Sequence, residues 1–159
     1  MILIKILLHF VLFSNNANDV LTDEFYSALA SNDQTKIALQ LNKLDLLKRT
    51  NLNQAYIATL KLKKSSFEKV LKTKITIFKE GATSLDLLID ESPQNTELRF
   101  LRCIIQENAP KILKYNTNLE VDKQLVIKEF KNQNKNLQKH ILQYAKNSNL
   151  FPELVFSKN

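Results

Sequence analysis

Apolar positions along this chain recur three and four residues apart, the spacing of amphipathic helices, and short polar breaks separate the runs. Phe25 and Leu29, joined by Tyr26, make the first stripe. Thr22 stands as its N-cap, with Asp23 and Glu24 at the positive end of the helix dipole. Ser31-Asn32-Asp33 ends that helix and caps a second, on which Ile37, Leu41, Leu44 and Leu47 share one face. A third helix starts after Asn51 and turns Ala55, Ile57 or Ala58, Leu60 and Leu62 inward. Ser65 and Glu68 then stand at capping-box spacing ahead of a short turn through Val70 and Leu71. Thr73 caps a fresh helix from Lys74; the alternative is one continuous helix from Phe67 to Asp90.

The run from Lys74 to Glu91 is the best-patterned element, with Ile75, Phe78, Leu85, Leu88 and Ile89 inward. Gly81 sits in its middle, where glycine costs about 1 kcal/mol relative to alanine, and the spacing predicts that another helix crosses closely there. A Ser92-Pro93-Gln94-Asn95 turn leads to a helix from Thr96 to Glu107 that buries Leu98, Leu101, Ile104 and Ile105. Asn108-Ala109-Pro110 stops it. Asn118 caps the next helix, with Leu119, Glu120 and Asp122 in its first turn and Val126, Ile127 and Phe130 on its core face. After a polar break at residues 132–136, a last helix uses Leu137, Ile141, Tyr144 and Ala145. The expected domain runs over residues 18–147, with 148–159 as a partly ordered tail from which Leu150 and Phe151 pack back.

Composition supports an all-α fold. One Gly and three Pro in 159 residues are too few for the glycine-dependent corners of hairpin sheets. The formal net charge of +7 admits an anionic membrane face, an acidic partner or simply a solvated lysine surface. Nucleic acid is not expected, because Lys123, Lys128, Lys131, Lys135 and Lys139 are not interleaved with exposed aromatics; Phe130 and Tyr144 belong to the core pattern.

The first residues form an address rather than an element. Lys5 precedes and interrupts an apolar run from Ile2 to Phe13, and Ala17 supplies a small residue where composition turns polar. That order describes a secretory signal covering 1–17, cut near Ala17, and implies a periplasmic or extracellular protein. The run is shorter than the ~20 apolar residues a bilayer span needs. Cys103, the single cysteine, lies among Leu101, Ile104 and Ile105 and reads as a small core residue.

The stretch from Leu87 to Arg102 resembles the junction between two tetratricopeptide units, with Pro93 and Asn95 at the turn and Cys103 at the small position of the following helix. The similarity covers residues 74–107. Gly81 departs from the alanine usual there, and no second copy stands at the family's 34-residue period. This resemblance implies antiparallel helical hairpins stacked in a short right-handed solenoid that binds a protein or peptide on its concave face.

Few constellations could carry chemistry. Arg99 and Arg102, at i and i+3, could clamp a carboxylate or phosphate, or could bond Asp90 or Glu91 at the preceding helix end. Glu97 lies just upstream, and Asp86 falls near Asp90 and Glu91 at helical spacing. His140 has no second ligand at zinc spacing. Neither a nucleophile elbow nor a glycine-rich phosphate loop is present, so no cofactor and no enzymatic activity are expected. The expectation is an exported, non-enzymatic helical module that binds a protein or peptide or serves a structural role. A lysine-rich membrane-associated module is the first rival, and a small enzyme with an unfamiliar site is the second.

Overall fold

A computed structural model describes residues 17–151 and Phe156. The expected signal segment lies almost wholly outside the described residues. Every regular element among them is helical. Helix α1 occupies residues 17–29. It is followed by α2 (Gln34–Asp45), α3 (Asn51–Ser65), α4 (Leu71–Glu91), α5 (Thr96–Asn108), α6 (Leu119–Glu129) and α7 (Lys135–Ala145). Short 3-10 turns stand at Lys111–Leu113 and Phe130–Asn132. No helix among the described residues is long and apolar enough to cross a membrane.

Four of the helices start on a side-chain cap, whereas Asn118 at the start of α6 accepts no such bond. Asp33 accepts from the backbone of Thr35 and Lys36, Thr50 from Asn53, Asn95 from Glu97 and Leu98, and Asn134 from Leu137. Each occupies orphan N–H groups of a first turn, worth about 1 kcal/mol. Thr22 is not such a cap. It lies inside α1, and its hydroxyl stands 3.3 Å from that of Tyr56. Ser65 does not form a capping box with Glu68: its hydroxyl bonds back to the Leu62 carbonyl as α3 ends. The break between α3 and α4 falls before Leu71, not at Thr73, which is an exposed residue within α4.

Gly81 marks a close approach of α3 and α4. A Cβ there would meet Leu62 Cγ at 2.8 Å and the Ala58 carbonyl oxygen at 3.2 Å, so the helices pack backbone against backbone. Helix α5 is the central element. Leu98, Phe100, Leu101 and Cys103 are wholly buried, and Thr96, Arg102 and Gln106 are its buried polar residues.

The odd-numbered helices share an inner layer. Phe25 of α1 stacks on Tyr56 of α3 with ring centroids 3.8 Å apart, and Tyr56 reaches α5 through Glu97. Helix α7 then contacts both ends of this row. His140 stacks on Tyr26 of α1 at 4.2 Å, and Tyr144 meets Phe100 of α5 edge-on at 5.7 Å. Leu47 is exposed beyond the end of α2, whereas Ile37, Leu41 and Leu44 are buried as the pattern requires. The core continues past residue 147, because Phe151 and Phe156 pack on one another and on Phe100 and Phe130.

Candidate functional site

The two arginines of α5 meet a carboxylate from the first turn of α6. Asp122 occupies the first turn of α6, where an acid suits the helix dipole, but its side chain is wholly buried against α5. Arg102 donates Nε to Oδ2 at 2.6 Å and Nη2 to Oδ1 at 2.9 Å; Arg99 adds Nη1 to Oδ1 at 2.6 Å. The remaining Nη1 of Arg102 reaches Asp86 Oδ1 at 2.9 Å, and the Tyr115 hydroxyl donates to that same oxygen at 2.9 Å. Arg99 also donates Nε and Nη2 to the Pro93 carbonyl.

Two guanidiniums and two carboxylates thus join α4, the Pro93 turn, α5, the segment after α5, and α6. Burial alone would pull the Arg102 pKa down, but hydrogen bonds to Asp122 and Asp86 outweigh it and raise it. The charges cancel, and each of the six guanidinium nitrogens already donates to an oxygen of the protein. Asp90 and Glu91 are not its partners. Both are exposed, and Glu91 accepts only a 3.3 Å hydrogen bond from Asn51.

Glu97 belongs to a different cluster. Tyr56 and Tyr26 both donate to its Oε1, at 2.6 and 3.1 Å, and no cation pairs with it among the described residues. Burial raises its pKa above the ordinary 4.5, the two tyrosine hydrogen bonds opposing the shift. Both tyrosines are pushed up by burial and by that carboxylate. His140, stacked on Tyr26, places Nε2 2.7 Å from Asp23 Oδ1, which also accepts from Lys139 at 2.7 Å. Burial lowers the His140 pKa against the opposing pull of Asp23. This group ties α1, α3, α5 and α7 together. The aromatic residues Tyr26 and Tyr56 carried no separate polar signal in the sequence beyond their spacing.

A third carboxylate, half-buried, holds the tail. Glu107 accepts from the Tyr144 and Ser148 hydroxyls, each at 2.7 Å, and from the backbone N–H groups of Asn149 and Leu150 at 2.8 and 3.1 Å. Cys103 is wholly buried, and that burial raises its thiol pKa well above the usual range, the direction opposite to nucleophile activation.

Open clefts flank these clusters. A groove of about 650 Å³ between α1 and α2 is lined by Ala28, Leu39 and Gln40, with Lys36 and Lys43 at its side. Gln40 is 7% exposed, and its Nε2 finds no acceptor among the described residues. A smaller cleft of about 370 Å³ lies between the end of α5, the segment from Pro110 to Asn116, and the tail. Gln106 lines it. Compared with family models, with curated proteins and with solved structures, the chain finds no match, so its function is argued from these side chains alone.

Proposed function

We propose that this is an exported, non-enzymatic helical module whose hairpins stack in a tetratricopeptide-like way, and that it binds a protein or peptide along the α1/α2 edge. One observation carries this reading. Leu39 of α2 is 64% exposed and Leu46, which follows its last turn in helical conformation, 88%; they stand seven residues apart and so on one side, and Leu39 lines a groove with a buried amide donor that has no partner among the described residues. Adjacent exposed leucines at two-turn spacing are the anchors that a partner helix or peptide uses in a groove. An unmet buried donor costs about 1–3 kcal/mol, and a partner's backbone carbonyl facing Gln40 would recover it.

The row α1–α3–α5 supports the stacked-hairpin arrangement. Helix α7, however, lies against that row, so the inner face holds the chain's own helix and the outer edge at α2 is the accessible surface. Cleavage near Ala17 would leave Thr22, Asp23 and Tyr26 together with their partners in the mature chain. The lysine face is a weaker basis for membrane binding. Lys123, Lys128 and Lys139 stand against Glu120, Glu129 and Asp23, which cancels part of its charge.

Photocrosslinkers placed at positions 39 and 87 in separate variants test the edge, since Leu87 is 58% exposed on α4. The expected result is a discrete adduct with an envelope protein from position 39 only, lost on Leu46→Glu. Equal labelling from both positions would overturn the reading. Export is checked by sequencing the N-terminus of the recovered protein, expected at Asn18; a retained Met1 contradicts it.

A further inference from the structure

We propose that the cleft beside the end of α5 is a second binding site, selective for a carboxylate that carries an adjacent N–H or O–H donor, as in an N-acyl amino acid or the free C-terminus of a peptide. The inference is independent of the α1/α2 edge, and rests on three features of one cavity. Gln106 is 5% exposed and lines the cleft, yet its Oε1 has no donor among the described residues. Buried acceptors are rarely left so, and each unmet one costs about 1–3 kcal/mol. A ligand N–H or O–H is the group it lacks.

The second feature is charge. Lys111 and Lys114 line the same cleft, and neither forms an ion pair among the described residues. The acid nearest in the lining, Glu107, has its carboxylate engaged by four donors from α7 and the tail. With two lysines against that one carboxylate the lining is net positive, Gln106 stands at its buried side, and an anion bearing a donor satisfies both.

The third feature is backbone. Lys114 closes the 3-10 turn with φ 50° and ψ 34°, the left-handed region, and is the one non-glycine residue of positive φ among those described. Glycine or asparagine holds that position at less cost. Lysine there sacrifices stability and gains a cation at the rim of the cleft. A volume of about 370 Å³ falls at the small end of the range for small-molecule pockets.

The test is an NMR titration of the full mature protein with three probes: N-acetylglycine, acetate and N-acetylglycinamide. N-acetylglycine is expected to shift the Gln106 side-chain amide and the Lys114 backbone signal, and to bind about tenfold more tightly than either probe carrying one half of its chemistry. Gln106→Leu and Lys114→Gly should each weaken it about tenfold, while Lys114→Gly melts no lower than the parent protein. An acetylated tetrapeptide with a free C-terminus separates the sources: tighter binding than N-acetylglycine assigns the cleft to peptide termini, weaker binding to free small acids. Three equal probes, or undiminished affinity in Gln106→Leu, would overturn the proposal. Crosslinking at position 39 is unaffected by either result.

Discussion

Arg102 grips both oxygens of Asp122 with its fork, 2.6 and 2.9 Å, across the interface of α5 and α6. Twenty residues separate them in sequence, and Asp122 is wholly buried. Bidentate contact fixes the rotation of one helix against the other, which apolar packing alone does loosely. Arg102→Leu strands Asp122 with Arg99 alone and removes the cation from Asp86. Urea unfolding should show a loss of about 3–5 kcal/mol, and Arg102→Lys should recover little of it.

Arg99→Ala is expected to cost less, about 1–2 kcal/mol, because Arg102 still neutralises Asp122. The variant frees the Pro93 carbonyl, so its loss should appear as faster amide exchange in the turn before α5. A larger loss than that of Arg102→Leu would reverse the order of the two residues.

Glu97 should make the protein more stable as the pH falls from neutral. Its pKa is raised by burial, so the folded chain holds the proton more tightly than the unfolded one. The gain develops as pH drops through the raised value and is complete below the ordinary 4.5. Glu97→Gln keeps an acceptor for Tyr26 and Tyr56 without the charge. At pH 7 it should unfold at the same or higher urea concentration, with the advantage vanishing near pH 4, roughly the range where a carboxylate protonates.

His140 acts in the opposite direction. Its pKa is lowered from 6.5, so its contribution is fully present above 6.5 and is lost as pH falls through the lower folded value. NMR titration of the ring should give a midpoint below 6.5. A midpoint at or above that value would contradict the buried, neutral imidazole. His140→Gln should flatten this limb of the stability profile.

Gly81→Ala adds helix propensity worth about 1 kcal/mol but places a methyl 2.8 Å from Leu62 Cγ. Leu62 is buried and the next contact is backbone, so neither yields cheaply. A net loss of about 1–2 kcal/mol in thermal unfolding is expected. Gly81→Ala paired with Leu62→Ala should lose less than the two changes summed.

The helical content was legible because it depends on local spacing and on caps such as Asp33 and Asn95, which act within a turn. Gly81 was legible for a related reason: an unfavourable local choice has to be explained by a neighbour. The partner of Arg99 and Arg102 was not. Asp90 and Glu91 are close in sequence, but α4 turns them to solvent, and the acid that pairs lies on α6 at a position a dipole argument explains equally well. Glu97 misled similarly. Its nearness to Arg99 suggested one cluster, yet two residues along a helix is about 200° of rotation, enough to send it to the opposite side. Thr22 failed as a cap because the helix begins earlier than its polar composition suggests. The engagement of α7 with α1 spans more than a hundred residues, beyond any local pattern.

That engagement has a consequence for the order in which the chain becomes stable. Asp23 and Tyr26 stand near the start, and the groups that complete them, Lys139 and His140, arrive near the end. The inner layer is therefore closed by α7, which is made after every other helix of that layer. Until then the first helix lacks one of its flanking neighbours, and contacts of such separation form slowly. The emerging chain stays easier to unravel and to thread than the finished protein, and a fragment ending at residue 134 should show this as loss of protection in residues 19–29 while α3, α4 and their Gly81 crossing persist.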